Sequence, residues 1–340
     1  MNARTDEAAN NFTLLRLLLA LMVVFGHFKL LSGTPYPPFP FNLADAAVDC
    51  FFVVSGFLIT LSYERTHGLW AFYIRRVFRL YPMYVCVVLM QAALMMTLLP
   101  NGPFSAPYST LRYLGSNLLL ANFLQYDIGG VLDGLRNPGI NPSLWTLKIE
   151  IGFYLIVPAI VIATRRWGWR VLAAIFAGSV AYSLVCLHFG EIRLARQLPG
   201  QLQFFVAGMA LYLYGERLRV SPWVSILIAA VFLVAWSTIQ PIPDGIRPIL
   251  VAAFVYSFAL CLPVMPLHRD ISYSVYLLHG PLIQTSILLG VFRDTPWFLA
   301  GVAGTVIVLA LVTERLVERP GTEFGRRLSR RLRRRTPVIA

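Results

Sequence analysis

Residues 11–31 read NFTLLRLLLALMVVFGHFKLL, an apolar run that carries Arg16 and His27. About twenty apolar residues on a helix cover the roughly 30 Å hydrocarbon core of a bilayer, so this run predicts a membrane span. Arg16 and His27 are eleven residues apart. Three helical turns later the chain faces nearly the same way, at a depth differing by roughly 16 Å. An ionisable side chain at bilayer depth costs at least a few kcal/mol, which selects for a polar cavity or a partner. Two readings stand from these residues alone: a snorkelling arginine with an interfacial histidine, or two polar groups facing one cavity.

The rest of the chain has the same character. Of its residues 57% are apolar and only 13% charged, with a mean hydropathy of +0.67, values that exclude a soluble globular domain. Spans are predicted near 12–31, 43–63, 80–99, 143–163, 171–189, 199–214, 222–240, 247–266, 273–291 and 297–316. The expected fold is an all-α polytopic membrane protein of about ten transmembrane helices. No linker marks a second domain, so a single transmembrane domain is expected, with core 12–320 and a basic tail 321–340.

Basic residues orient it. With the N-terminus cytoplasmic, the inner side holds Arg4, Arg65, Arg75, Arg76, Arg79, Arg165, Arg166, Arg170, Arg217, Arg219, Arg269 and the nine arginines from Arg315 to Arg335; the outer side holds Arg112, Arg136, Arg193, Arg196, Arg247 and Arg293. Twenty against six, with an even number of spans, places both termini on the cytoplasmic side of the membrane. Residues 111–124 (LRYLGSNLLLANFL) are apolar but short for a span, so an interfacial or re-entrant helix is expected there, within a long outer region 100–142.

The net charge of +13 sits mostly in inner loops and the tail, where topology and anionic headgroups account for it. Membrane lipids are therefore expected partners and nucleic acid is not. Cys50, Cys86, Cys186 and Cys261 fall in spans without metal spacing and read as small apolar fillers, so no metal site is expected. Asp6 and Glu7 before the first span, and Arg16 within it, argue against a cleaved signal peptide.

Several polar residues have no evident place in an anchor. In VDCFFVVSGFLIT (48–60), Asp49 lies near the level of His27 and can orient or charge an imidazole, while Ser55-Gly56 reads as close helix packing. In AFYIRRVFRLYPMY (71–84), Arg75, Arg76 and Arg79 form either an interfacial basic helix or a forked clamp for a phosphate-rich cytoplasmic ligand, with Pro82 restarting the chain as the third span. Glu150 lies two turns into the fourth span and needs a partner, which Lys148 at i−2 cannot supply along the helix. Trp145 suits the outer aromatic belt. Ser272, Tyr276 and His279 recur at i, i+4 and i+7 as a polar stripe that lines a cavity or joins helices. Glu314 and Glu318 read as structural, with Arg315, Arg319 or other helices as partners.

Taken in order, these segments resemble the membrane acyltransferase-3 family of bacterial O-acyltransferases. The resemblance rests on Arg16 and His27, FFVVSGFLI (51–59), Arg76-Val77-Phe78-Arg79 followed by Tyr81-Pro82, SLWTLKIEIGFYLIVP (143–158), ISYSVYLLH (271–279) and VERP (317–320), and it covers residues 12–320. The fourth-span motif departs from many relatives in reading Lys148-Ile149-Glu150-Ile151-Gly152. The resemblance implies transfer of an acyl group, usually acetyl, from cytoplasmic acyl-CoA to a hydroxyl of a glycan, glycolipid or other acceptor at or beyond the membrane. No tightly bound cofactor is implied, and acyl-CoA serves as donor substrate. It implies His27 as general base or acyl-carrying nucleophile, Arg16 and Glu150 as further polar groups of the catalytic cavity with Asp49 beside them, and Arg75, Arg76 and Arg79 on the CoA phosphates. Ser55, Trp145, Tyr154, Ser272, Tyr276 and His279 would line the cavity. Some relatives carry a fused extracytoplasmic domain; this chain is expected to act alone or with a separate extracytoplasmic partner. The alternative is a transporter or flippase for a lipid-linked glycan, since intramembrane charges mark substrate paths there too.

Overall fold

The computed structural model describes residues 10–335 apart from 42, 67, 216, 217, 219, 240 and 241. Asp6 and Glu7, Arg4, Arg217 and Arg219 of the charge tally, and residues 336–340 of the tail lie outside the described residues. Every regular element described is helical. In chain order these are α1 (Phe12–Ser32), α2 (Ala44–Glu64), α3 (Leu69–Thr97), α4 (Pro107–Leu118), α5 (Trp145–Trp167), α6 (Arg170–His188) and the short α7 (Ile192–Ala195). They continue with α8 (Leu198–Tyr214), α9 (Pro222–Thr238), α10 (Ile246–Tyr256), α11 (Ser272–Leu288), α12 (Pro296–Thr313) and α13 (Arg319–Arg335). A helix lies at each of the ten predicted spans, and 6 helices are long and apolar enough to cross a membrane on that ground alone. The chain is a multi-pass membrane protein.

Three boundaries differ from the sequence reading. The third span does not restart at Pro82: α3 runs unbroken for 29 residues through it. Proline removes one helical donor, that of the Phe78 carbonyl one turn earlier, yet the helix continues through it; nearby, the Tyr273 hydroxyl donates to the Leu80 carbonyl at 3.1 Å. The last span does not stop at 316 either. A π-turn at Glu314–Glu318, closed from the Arg319 amide to the Glu314 carbonyl, absorbs Pro320 and passes α12 directly into α13. The helix Pro296–Leu332 is 37 residues long, about 55 Å and well beyond the ~30 Å apolar layer, so its arginine-rich end projects out of the hydrocarbon. The 111–124 stretch is the 12-residue α4 followed by a 3-10 turn at Asn122–Leu124. The Tyr81 and Tyr84 hydroxyls donate to the Leu118 and Asn117 carbonyls at its C-terminal end.

The chain divides into two compact units. One comprises the chain up to Leu19, Asp45–Phe72 and Ile149–Asp270; the other comprises Ala20–Ala44, Tyr73–Lys148 and the chain from Ile271 onward. Of the five divisions three fall within α1, α3 and α5, one lies at the first residue of α2 and one just before α11.

In the first unit α2 and α8 cross with their backbones in contact. A Cβ added at Gly56 would run into the Phe205 carbonyl, and one at Gly208 into the Val53 carbonyl. Without a hydrophobic drive between helices in lipid, such close approach supplies the dispersion energy of association. Aromatic rings fill the flanks, with Phe153 stacked on Phe205 at 3.9 Å and Phe52 edge-on to Phe153 at 5.5 Å. Asn11 fastens the start of α1 to the chain that follows α10: its amide donates to the Pro263 carbonyl at 3.0 Å and its carbonyl oxygen accepts from the Met265 amide at 2.7 Å.

In the second unit α3 and α13 pack antiparallel. Gly321 lies on Pro82, Gly325 on Phe78, and the Arg75 Nε donates to the Ser329 hydroxyl at 2.9 Å. The small residues at 321, 325 and 329 form one face of α13, and the ring of Phe324 reaches Phe78 at 5.0 Å.

Gly208→Val is expected to lower stability by about 2–3 kcal/mol through separation of α2 and α8. Gly178→Ala, whose Cβ meets nothing within 4 Å, should leave the melting temperature in detergent unchanged or raise it slightly.

Candidate functional site

The polar centre of the second unit is built around a proline. Pro281 within α11 has no amide hydrogen, so the Leu277 carbonyl one turn earlier loses its helical donor. Asn141 replaces it, its side-chain amide donating to that carbonyl at 2.8 Å. The same side chain accepts from the Ser143 amide at 3.1 Å, which caps the turn that opens α5. Gly280 makes the docking feasible, because a Cβ there would crowd the Asn141 side-chain oxygen at 2.9 Å. The Thr146 hydroxyl bonds the Tyr276 hydroxyl at 2.9 Å and adds a second tie between α5 and α11.

This docking brings three side chains together. His27 Nδ1 lies 2.7 Å from His279 Nε2, and the rings are near parallel with centroids 5.0 Å apart. The Ser143 hydroxyl is 3.5 Å from His27 Nδ1 and 3.4 Å from His279 Nε2. His279 Nδ1 is 3.1 Å from the Val275 carbonyl of its own helix. His279 is fully buried whereas His27 is half-buried. Gly26 seats the His27 turn of α1, since a Cβ there would collide with Ala44 at the start of α2. The arrangement can accept a proton at His27 and disperse the charge onto a second imidazole.

Five residues before His279 along α11, about 7.5 Å of rise, is an ionic cluster. The Ser274 hydroxyl donates to Glu318 at 2.8 Å, and Arg79 pairs with the same carboxylate at 3.1 Å. The Glu318 side chain is only 1% exposed. Of the partners expected for it, another helix supplies one, Arg79 of α3. Arg79 is engaged by Glu318 and Arg75 by Ser329. Arg76 is half-buried beside them on α3.

The other residues singled out in the sequence lie in the first unit or near the start of α5. Arg16 is ion-paired with Asp270. Asp49, buried, accepts from Arg247 Nε at 2.7 Å, and that guanidinium also stands over the Trp236 ring at 4.9 Å; its charge is thus matched by arginine within the same unit. Glu150 accepts from the Tyr154 hydroxyl at 2.6 Å, a partner one turn along α5. Lys148 faces elsewhere, its ammonium 4.9 Å from the Phe123 ring centroid. Ser55 is half-buried next to the Gly56 contact, Trp145 is half-buried at the head of α5, and Ser272 is buried at the head of α11. Among the described residues no three His, Cys, Asp or Glu side chains gather as a metal site.

Asn141, Ser143, Asp270 and Arg247 were not singled out as site residues. The Asn-Pro dipeptide at 141–142 signals a turn, and Pro281 signals a carbonyl in need of a donor. Only the fold pairs the two.

A family model described as an acyltransferase domain matches residues 10–314. The chain is 27% identical to nodulation protein 10 of Rhizobium leguminosarum bv. viciae, over 96% of this chain and 98% of that protein. It is 29% identical to the O-acetyl transferase of Shigella phage Sf6, over 92% of this chain and 95% of that one. Identity to the exopolysaccharide production protein ExoZ of Rhizobium meliloti (strain 1021) is 27%, over 84% of this chain and 92% of the relative. No solved structure matches.

Removing Arg79 leaves a buried carboxylate without its counter-charge. Arg79→Ala is therefore expected to cost about 2–4 kcal/mol of stability with no ligand present, whereas Arg165→Ala, on an exposed pair with Glu64, should cost less than about 1 kcal/mol. Thermal unfolding of the two variants in the same detergent compares them directly.

Proposed function

Because the chain belongs to this acyltransferase family, we propose that it transfers an acyl group, acetyl by default, from cytoplasmic acyl-CoA to a hydroxyl of a glycan or glycolipid at the extracytoplasmic side of the inner membrane. The observation that carries the reading is the His27–His279 pair, with the half-buried member on α1 and the fully buried one behind it. The names of the relatives agree with it: one is an O-acetyl transferase and another an exopolysaccharide production protein. In this reading all ten spans cross, both termini are cytoplasmic, and α13 lies against the anionic inner leaflet.

The chemistry asks for little beyond a base and position. His27 takes the proton of the acceptor hydroxyl as its oxygen attacks the thioester carbonyl carbon. The carbon–sulfur bond breaks, and the proton passes from the imidazole to the departing thiolate, so that the products are the ester and free CoA thiol. Arg75, Arg76 and Arg79 receive the donor phosphates as planar, permanently charged donors. Arg16, ion-paired with Asp270, offers its remaining guanidinium N–H groups to the donor. Glu150 is a second polar anchor, and Asp49 is assigned to holding Arg247 of α10 against α2.

His27→Ala is expected to abolish acceptor acylation while the protein still inserts and melts normally, and retained activity would remove His27 from the mechanism. Arg76→Ala should raise KM for acyl-CoA about tenfold or more with a smaller change in kcat; donor affinity that does not change discards the clamp. Mass spectrometry of surface glycans from cells with and without the gene tests the reaction itself, by loss of the mass of one acetyl group from the acceptor.

A further inference from the structure

Two nitrogens of His27 are available to act as the base, and the surroundings choose between them. The choice begins at His279. Its Nδ1 faces the Val275 carbonyl at 3.1 Å; a carbonyl can only accept, so Nδ1 carries the hydrogen. A neutral imidazole with hydrogen on Nδ1 has a bare Nε2. That Nε2 lies 2.7 Å from His27 Nδ1, so the hydrogen between the rings belongs to His27. With Nδ1 protonated, the bare nitrogen of His27 is Nε2.

We infer that His279 is a positioning residue that locks His27 in its Nδ1–H tautomer and so makes Nε2 of His27 the atom that takes the acceptor proton. The inference rests on the reading of His27 as general base. His279 is fully buried and bonded on both ring nitrogens, so it meets no substrate. When His27 accepts the proton on Nε2, its Nδ1–H still donates to His279 and the imidazolium is stabilised in place. The opposite tautomer of His279 would point two N–H groups or two lone pairs at the wrong partners and leave His27 with its hydrogen on the reacting side. The Ser143 hydroxyl, at 3.4–3.5 Å from the two facing nitrogens, flanks this bond and does not replace it.

Two substitutions separate positioning from packing. Glutamine at 279 reaches the Nε2 position with an amide oxygen that accepts from His27; asparagine reaches only the Nδ1 position and leaves His27 without an acceptor. His279→Gln is expected to retain kcat within about tenfold of wild type, and His279→Asn to lose about a hundredfold or more, with KM for donor and acceptor little changed in both. Equal kcat in the two folded variants, whether high or low, overturns the assignment. A measurement on the unsubstituted protein guards against variants that fail to fold. With nitrogen-15 in the five histidines and the His27 signals assigned by their loss in His27→Ala, Nδ1 should appear protonated and Nε2 bare; the reverse tautomer overturns the inference. If His27→Ala instead keeps its activity, the base reading itself fails, an outcome distinct from either of these.

Discussion

The carbonyl of Leu277 has no donor on its own helix, and the arrangement of the histidine site follows from that vacancy. A polar backbone group inside an apolar bundle must be satisfied from elsewhere. Asn141 satisfies it, and in doing so sets the turn at 141–143 on α11 at the one point where Gly280 lets it approach. Ser143 then lies beside both imidazoles, and Thr146 reaches Tyr276. A single proline thus converts a helix–helix contact into a small polar enclosure with a defined geometry.

The same demand recurs at three charged side chains of the apolar helices. Arg16 is met by Asp270, Asp49 by Arg247, and Arg79 by Glu318. In each case the partner lies far along the chain, and it is needed because the low dielectric makes a lone charge costly. These pairs divide the polar residues by role. A charge engaged by a buried counter-charge contributes to holding the helices, whereas a half-buried imidazole backed by a neutral ring is arranged to change its protonation. That division is what makes His27, in a chain of this acyltransferase family, the natural place for the proton transfer proposed above. It also gives Arg79 two duties, since the residue proposed for the donor phosphates is the counter-charge of Glu318 as well.

Much of the helical layout was legible in the chain. Apolar runs long enough to cross a bilayer show themselves by composition, and a helix occurs at each of the ten predicted positions. The small residues at 55–56 were legible as a packing site, and Gly56 does lie against Phe205. Pro82 misled, because a proline reads locally as a break. In the fold, α3 runs through Pro82 without a break, and a π-turn carries α12 past 316 into α13. The polar stripe on α11 was visible as a period, but its partners were not, since periodicity reports a face and says nothing of what the face meets.

By itself, then, the sequence determined the helices, their apolar character, the asymmetry of basic charge and the presence of ionisable residues too costly to be accidental. Those properties depend on residues near one another, through helical rise, hydropathy and solvation. Which charges cancel and which stay available was decided only by the tertiary structure. His27 and His279 are 252 residues apart, as remote as Arg16 and Asp270 at 254, and no local rule distinguishes an imidazole that meets a second imidazole from one that meets a carboxylate. The fold makes that distinction because a buried polar group is matched by whatever side chain packing sets beside it, and that neighbour comes from a distant part of the chain.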